Sequence, residues 1–226
     1  MPDYLPKAEC TSIVDILNDY YARADAIVHH RGASDERIFG AEHVAPEILA
    51  FKASALCFEV ARAFMASEQC CLFTMANRLQ KRHEKPARSG GRWHRDRTKR
   101  QFKAMLYLVD VTPEMGPFSI FPRSGVNNLA EYAREIQQSS FAFTKVRWND
   151  TEIEPFLDLA LPRLETMVAP AGTLVLFDSS LIHSGQPNTA GVRYALTNYY
   201  YLRRELRSLR AEEKWAPFAG PLEPVA

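Results

Sequence analysis

From about residue 70 onward, the chain is a series of short apolar or alternating segments separated by residues that favour turns. Segments of this length, bounded by Gly, Pro, Asn and Asp, are typical of β-strands. They cover residues 70–76, 102–109, 118–121, 141–148, 166–169, 174–177 and 194–201. So many short strands in succession predict a jelly roll or a small barrel.

Helices are predicted on both sides of these strands. Apolar residues recur at helical spacing across residues 12–30, where Ser12 is the expected N-terminal cap, and a second helix is expected from Pro46 to about residue 66. Shorter helical or loop segments are expected at residues 126–138 and 152–164, and a charged helix at 203–214. We therefore expect a mainly β fold with flanking helices, a double-stranded β-helix (jelly roll, cupin-like) buttressed by N-terminal helices.

The 226 residues, 46% of them hydrophobic, are enough for one domain with a substantial core. Within a single domain spanning residues 1–226, we expect a helical buttress at 1–68, a jelly-roll core at 69–202, and a C-terminal helix and tail at 203–226.

The N-terminal residues, the hydropathy and the cysteines of the chain indicate its cellular location. The N-terminus carries Asp3, Lys7 and Glu9 and lacks an apolar signal region, and no run approaches the roughly 18 apolar residues that span a membrane. The four cysteines show no C-x-x-C spacing and are too few for a disulfide framework. These observations predict a cytoplasmic protein that binds neither a membrane nor nucleic acid.

A possible metal-binding pattern lies at His94 and Asp96. Residues two apart on an extended strand project to the same face, so the imidazole and the carboxylate can chelate one ion. His183 follows the strand-like residues 172–178 and is a third candidate ligand. Two histidines and one carboxylate on one face of an iron leave the opposite face open for cosubstrate and dioxygen. A zinc hydrolase could use similar ligands with water in the fourth position.

A further functional residue is predicted ten positions after His183. Arg193 begins a strand-like segment at residues 194–200, where a guanidinium can point into a barrel lined by apolar and aromatic groups. A buried arginine needs an anion. The distal carboxylate of 2-oxoglutarate would satisfy it with two parallel hydrogen bonds, a geometry that lysine cannot match.

Together these motifs resemble the phytanoyl-CoA dioxygenase-like branch of the iron(II)/2-oxoglutarate oxygenases. The resemblance covers roughly residues 93–200. Its ordered pieces are His94-Arg95-Asp96, Tyr107-Leu108-Val109-Asp110, Met115-Gly116-Pro117-Phe118, Phe121-Pro122-Arg123-Ser124-Gly125, Ala171-Gly172-Thr173-Leu174-Val175-Leu176-Phe177-Asp178, His183 with Pro187-Asn188, and Arg193.

The resemblance implies a set of cofactors and a reaction. Fe(II) is expected at His94, Asp96 and His183, and 2-oxoglutarate at Arg193, with O2 as the second cosubstrate and succinate and carbon dioxide as coproducts. Related halogenases replace the metal carboxylate by a small residue, so the retention of Asp96 points to hydroxylation or another oxidation without halide.

Other residues near these motifs are weaker candidates. Asn77, Lys103 and Tyr107 are expected to contact 2-oxoglutarate, although structural roles are equally open for each. Residues 78–103 hold eleven Lys or Arg against Glu84 and Asp96, and this basic stretch predicts a small or carrier-linked anionic substrate. The residues expected to contact that substrate are Arg92, Trp93 and Arg95.

Two alternatives to an oxygenase remain open from the sequence. One is a jelly-roll binding protein without turnover, and the other is a metal-dependent hydrolase or isomerase on the same fold. The identity of the substrate, the atom that is oxidised and the oligomeric state do not follow from the sequence.

Overall fold

Two antiparallel β-sheets form the centre of the protein in a computed structural model, which describes residues 1–30, 34–81, 92–126, 141 and 144–205. The larger sheet has six strands in the order β1 (His29–His30), β2 (Asp35–Phe39), β3 (Gln69–Gln80), β9 (Val192–Leu202), β4 (Phe102–Tyr107) and β7 (Leu174–Asp178). The smaller sheet has three strands in the order β6 (Glu165–Met167), β5 (Phe118–Ile120) and β8 (His183–Gly185). This is the predicted jelly-roll architecture.

The alternation of side chains along each central strand separates two cores. Leu196 and Tyr200 of β9 point to the outer face of the larger sheet, into a core shared with the N-terminal helices. Ala195 points to the inner face, where it joins Tyr107 of β4 and Phe118 of β5 in a second core between the sheets. Side chains two apart on a strand share a face, so the inner face is also where polar residues of these strands meet.

Three helices cover the outer face of the larger sheet: α1 (Lys7–Ala22), α2 (Pro46–Lys52) and α3 (Ala55–Met65). The predicted bounds of the first helix were wrong, since it begins directly after Pro6 and not at Ser12. The predicted second helix is two helices, because the Ser54 hydroxyl accepts a hydrogen bond from the Cys57 N–H (3.4 Å) and starts a new helix there. None of the helices in the described ranges has the length and apolar character needed to span a bilayer.

The segment predicted as a purely helical buttress also contains two strands. β1 and β2 extend the larger sheet next to β3. The sequence of β2 gives no ordinary strand signal, since Asp35 and Arg37 are charged but face inward, where the guanidinium binds the carboxylate through two hydrogen bonds (3.1 and 2.7 Å). Internal pairing of charges thus replaces the apolar residues expected on a buried face.

Other predicted elements differ in extent or lie outside the described residues. Helix α4 (Asp150–Ala160) and a 3-10 turn (Leu161–Arg163) occupy the predicted 152–164 segment. The predicted strand at 141–148 is reduced, within the described residues, to an isolated bridge at Arg147. Nearly all of the segment at 126–138 and most of the C-terminal helix at 203–214 lie outside the described residues.

Gly172 holds the N-terminal segment against the barrel and gives a stability prediction. Its φ is +81°, and a Cβ there would lie 2.0 Å from the backbone oxygen of Leu5. Both the left-handed backbone and the close contact oppose any side chain, so Gly172→Ala should lower the free energy of unfolding by on the order of 2 kcal/mol. Urea denaturation measures the loss.

Gly125→Ala is the matched control for this prediction. Its added Cβ would meet side-chain atoms alone, a methyl of Leu181 at 3.2 Å and the Ser180 hydroxyl at 3.8 Å, and its φ is not positive. Equal losses of stability in the two variants would show that the backbone of Gly172 is not the cause.

Candidate metal centre

Strand pairing places His94 and His183 side by side. The His94 N–H donates to the His183 carbonyl (3.0 Å), and the His183 N–H donates back to the His94 carbonyl (2.8 Å). Residues directly opposite each other in an antiparallel pair project to the same face. The two imidazole rings accordingly lie 4.4 Å apart between centroids.

Each imidazole is oriented by a backbone carbonyl. Nδ1 of His94 lies 2.8 Å from the Arg92 oxygen, and Nδ1 of His183 lies 2.8 Å from the Leu181 oxygen. Because a carbonyl only accepts, each Nδ1 carries the proton and each Nε2 presents a lone pair. Burial lowers the pKa of His94 to about 3, with the nearby His183 adding to the effect, and burial also lowers the pKa of His183. Both rings are therefore neutral at pH 7, as metal ligands must be.

Asp96 completes the set of candidate ligands. Its Oδ1 lies 3.9 Å from His94 Nε2 and its Oδ2 lies 3.9 Å from His183 Nε2, and one ligand atom from each residue lies within 4.8 Å of the others. Burial alone would raise the pKa of Asp96, but the Lys103 ammonium and the two histidines hold it below the usual range. The carboxylate is ionised, so the three residues fit a metal ion bound through one face.

Lys103 lies directly against this carboxylate. Its Nζ is 2.6 Å from Asp96 Oδ2 and 3.7 Å from the centroid of the Tyr199 ring. Burial would lower the pKa of Lys103, but Asp96 raises it, so the ammonium stays charged. Lys103, expected to contact 2-oxoglutarate, thus neutralises the metal carboxylate in this structure.

This contact predicts a coupling between Lys103 and metal binding. Lys103→Met should lower the stability of the metal-free protein by on the order of 2 kcal/mol, because the Asp96 side chain, which is 25% exposed, loses its counter-charge. A divalent cation restores that charge, so cobalt(II) should raise the thermal midpoint more in the variant than in the wild type.

Lys52→Met provides the control, since it breaks another largely buried pair, with Glu42 (2.6 Å), away from the ligands. It should lower stability without changing the response to cobalt(II). Equal cobalt(II) shifts in the wild type and Lys103→Met would contradict the coupling.

Arg193 is buried within the barrel and has no salt bridge to any described residue. Its Nη2 donates to Asn77 Oδ1 (3.2 Å), Nη1 donates to the Gly116 carbonyl, and Nε has no hydrogen-bond partner among the described residues. Burial lowers its pKa, while Tyr107 acts in the opposite direction. The predicted cosubstrate residues Arg193, Asn77 and Tyr107 are therefore brought together on the inner face.

The buried ion pair between Asp35 and Arg37, which orients Asn77, was not predicted from the sequence. The Asn77 amide Nδ2 donates to Asp35 Oδ1 (2.5 Å), and Asp35 in turn binds Arg37. With Nδ2 directed to this carboxylate, the amide oxygen faces Arg193. Arg193 thus receives a neutral acceptor, and its positive charge remains available to an anion.

Trp93 and Arg95, which were expected to bind substrate, do not lie on the same face as the candidate metal ligands. Arg95 is almost completely buried, donates to the Ser124 carbonyl (3.0 Å) and lies 5.2 Å from the Trp148 ring. Trp93 packs against Phe121, with 4.9 Å between ring centroids. Strand alternation sends Trp93 and Arg95 to the face opposite His94 and Asp96, so the structure does not bring them to the metal ligands.

The basic stretch is also partly neutralised by ion pairs. Arg92 is exposed and lies 3.5 Å from Asp150. Arg97 binds Glu205 through two hydrogen bonds (3.0 and 2.8 Å). These side chains therefore do not form one continuous positive surface, and residues 82–91 lie outside the described ranges.

An apolar cavity of about 390 Å³ lies at the edge strands β6 and β7 of the two sheets. It extends between β5, β6, β7 and α3, and its walls include Phe118 and Phe177. Their ring centroids are 5.5 and 6.0 Å from that of His183. The cavity is large enough for part of a small molecule, and two of its wall residues are neighbours of His183.

Comparisons with known proteins agree with this arrangement. The family model described as "Phytanoyl-CoA dioxygenase (PhyH)" matches residues 2–194. A search of curated protein sequences found no match.

Several solved structures share the fold at low sequence identity. HygX from Streptomyces hygroscopicus, with nickel and 2-oxoglutarate bound, is 15% identical with a TM-score of 0.62, covering 90% of this chain and 82% of its own. The epimerase SnoN from nogalamycin biosynthesis, in complex with Fe3+, alpha ketoglutarate and nogalamycin RO, is 14% identical with a TM-score of 0.66, covering 89% and 77%. EctD from S. alaskensis, with bound Fe, is 19% identical with a TM-score of 0.63, covering 89% and 71%.

Proposed function

Since this chain belongs to the phytanoyl-CoA dioxygenase family, we propose that it is an iron(II)- and 2-oxoglutarate-dependent oxygenase that hydroxylates a small or carrier-linked anionic substrate. The observation that carries the proposal is the combination of His94, Asp96 and His183 with a buried Arg193 that has no salt bridge among the described residues. A protein that only binds has no chemical reason to combine these features.

The residues present fit both cofactors. His94, Asp96 and His183 offer iron(II) one face of ligands, while Arg193 offers the distal carboxylate of 2-oxoglutarate a charge-assisted hydrogen bond from its unpaired Nε. Nickel or iron together with this cosubstrate in HygX and SnoN supports the assignment. When bound, iron(II), 2-oxoglutarate and O2 supply an oxidation coupled to the release of succinate and carbon dioxide.

The protein's own contribution is to position these groups and to limit access by water. The buried histidines remain neutral ligands, and the barrel interior around Tyr107 and Phe118 is apolar. Such an environment protects a reactive centre from side reactions. The sequence has only four cysteines and no C-x-x-C motif. This composition supports a reducing, cytoplasmic setting, which would keep iron in the ferrous state.

Product analysis tests the reaction type. The enzyme is incubated with iron(II), 2-oxoglutarate, ¹⁸O₂ and a panel of small carboxylates and phosphates, and the products are resolved by mass spectrometry. Hydroxylation adds one ¹⁸O atom to the product and forms one succinate per turnover. An unchanged substrate mass with an inverted stereocentre, and succinate formed while an added reductant such as ascorbate is consumed, would indicate epimerisation, the activity named for SnoN. A product formed without consumption of 2-oxoglutarate would indicate the hydrolase or isomerase alternative and contradict the proposal.

A further inference from the structure

Arg147 lies opposite the candidate metal ligand His94, to which it is joined by an isolated antiparallel bridge outside the named strands. The Arg95 N–H donates to the Val146 carbonyl (2.9 Å), and the Trp148 N–H donates to the Trp93 carbonyl (3.4 Å). These bonds flank His94 and Arg147, which are therefore the non-hydrogen-bonded pair of an antiparallel bridge. Side chains of such a pair share a face and start close together, with Cβ atoms about 4.5–5.5 Å apart.

The neighbours of Arg147 confirm which face it occupies. Trp148 is buried with Phe141 and Arg95 on the side opposite the metal ligands. Alternation then places the Arg147 side chain on the same side as His94. Its positive charge acts on both metal histidines and lowers their pKa values.

Four side chains, from four segments paired side by side, therefore lie in a row on one face. Arg147 pairs with His94, His94 pairs with His183, and His183 pairs with Ile120 of β5. The first of these residues is exposed, whereas the other three are buried. Arg147 is therefore the cation at the solvent side of the metal ligands.

We propose that Arg147 binds an anionic group of the substrate, a carboxylate or a phosphate, and so holds the bond to be oxidised near the metal on the His94 side. This inference rests on the proposed function. Arg193 is buried on the larger sheet and is assigned to the cosubstrate, while exposed Arg147 is accessible to a molecule that arrives later. The two arginines then recognise two different anions at one metal site.

Relaxation of phosphorus nuclei tests this site without turnover. The protein is loaded with manganese(II) and 2-oxoglutarate and titrated with inorganic phosphate, and the ³¹P relaxation rate is followed by NMR. A phosphate on Arg147 lies close enough to the paramagnetic ion to relax faster, and the effect should saturate. Arg147→Gln should weaken phosphate binding about tenfold, the loss expected for one charge-assisted hydrogen bond. Arg147→Lys should restore part of it.

Arg62→Gln is the matched control, because Arg62 is exposed on α3 and pairs with Glu59, three residues before it in sequence. Its phosphate affinity should equal that of the wild type. An undiminished relaxation effect in Arg147→Gln would mean that phosphate coordinates the metal directly, and no saturable effect in the wild type would mean that no anion site exists; either result overturns the proposal. Labelled acetate, followed by ¹³C relaxation, shows whether a carboxylate binds better than a phosphate.

The manganese(II) EPR spectrum separates this inference from the function on which it rests. A spectrum that changes when 2-oxoglutarate is added, in both the wild type and Arg147→Gln, supports the cosubstrate site and shows that the variant is folded around the metal. An unchanged spectrum in the wild type contradicts the proposed function. A changed spectrum without an anion effect contradicts only the role of Arg147.

Discussion

Replacement of Asp96 by alanine is expected to abolish turnover and to weaken iron(II) binding by more than about 100-fold, beyond the range seen for the loss of a residue that only orients a ligand. The variant loses the only carboxylate among the three ligands. It also leaves the Lys103 ammonium, which is 2.6 Å from Asp96 Oδ2 in the native protein, without its counter-charge and facing the metal. Two effects therefore act in the same direction: a missing ligand and an added repulsion.

His94→Ala and His183→Ala should also abolish turnover, because each removes one of the two neutral nitrogen ligands. Iron content after gel filtration and the yield of succinate measure both effects. Asp158→Ala, which alters an exposed carboxylate of α4, is the control and should bind iron normally. Normal iron content and activity in any of the three ligand variants would show that the residue is not a ligand.

Replacement of Arg193 by alanine is expected to produce the second-largest effect, a loss of affinity for 2-oxoglutarate without a loss of iron binding. Loss of one buried, hydrogen-bonded charge pair costs on the order of 2 to 5 kcal/mol, which corresponds to roughly 30-fold or more in affinity. Much of that cost comes from the cosubstrate carboxylate left without its partner. The apparent KM for 2-oxoglutarate should rise accordingly, while iron(II) content stays near that of the wild type.

Arg193→Lys tests whether the geometry of the guanidinium matters in addition to its charge. A lysine cannot reproduce a planar pair of hydrogen bonds while also replacing the contacts to Asn77 and Gly116. It should recover only part of the affinity. A normal dependence on 2-oxoglutarate in Arg193→Ala would place the anchor elsewhere, with Lys103 the first alternative because it lies beside Asp96.

The metal ligands were accessible to sequence reasoning because their geometry is mostly local. The spacing of His94 and Asp96 fixes their common face on any extended segment, whatever the rest of the fold. His183 follows a strand with clear apolar character, β7, and then a turn. Strands β3, β4 and β9 were also predicted from the sequence, because each contains a run of apolar or alternating residues.

Features that depend on pairing between segments far apart in the sequence could not be predicted from the sequence. β2 looks polar because Asp35 and Arg37 neutralise each other inside the barrel. Arg147 gains its position only from the bridge to His94, more than fifty residues earlier. The expectation for Arg95 took its proximity in sequence to the ligands as proximity in space, whereas alternation directs it to the opposite face, against Trp148.

We expect iron(II) and 2-oxoglutarate to bind together at His94, Asp96, His183 and Arg193, and anaerobic visible spectroscopy can detect this complex. Chelation of iron(II) by the keto acid should produce a weak charge-transfer band when both are added to the wild-type protein without oxygen. The band should be absent when either component is omitted and in Asp96→Ala, and in Arg193→Ala it should require far more 2-oxoglutarate. A wild-type protein that binds one iron(II) per chain but shows no band at saturating 2-oxoglutarate would contradict this expectation.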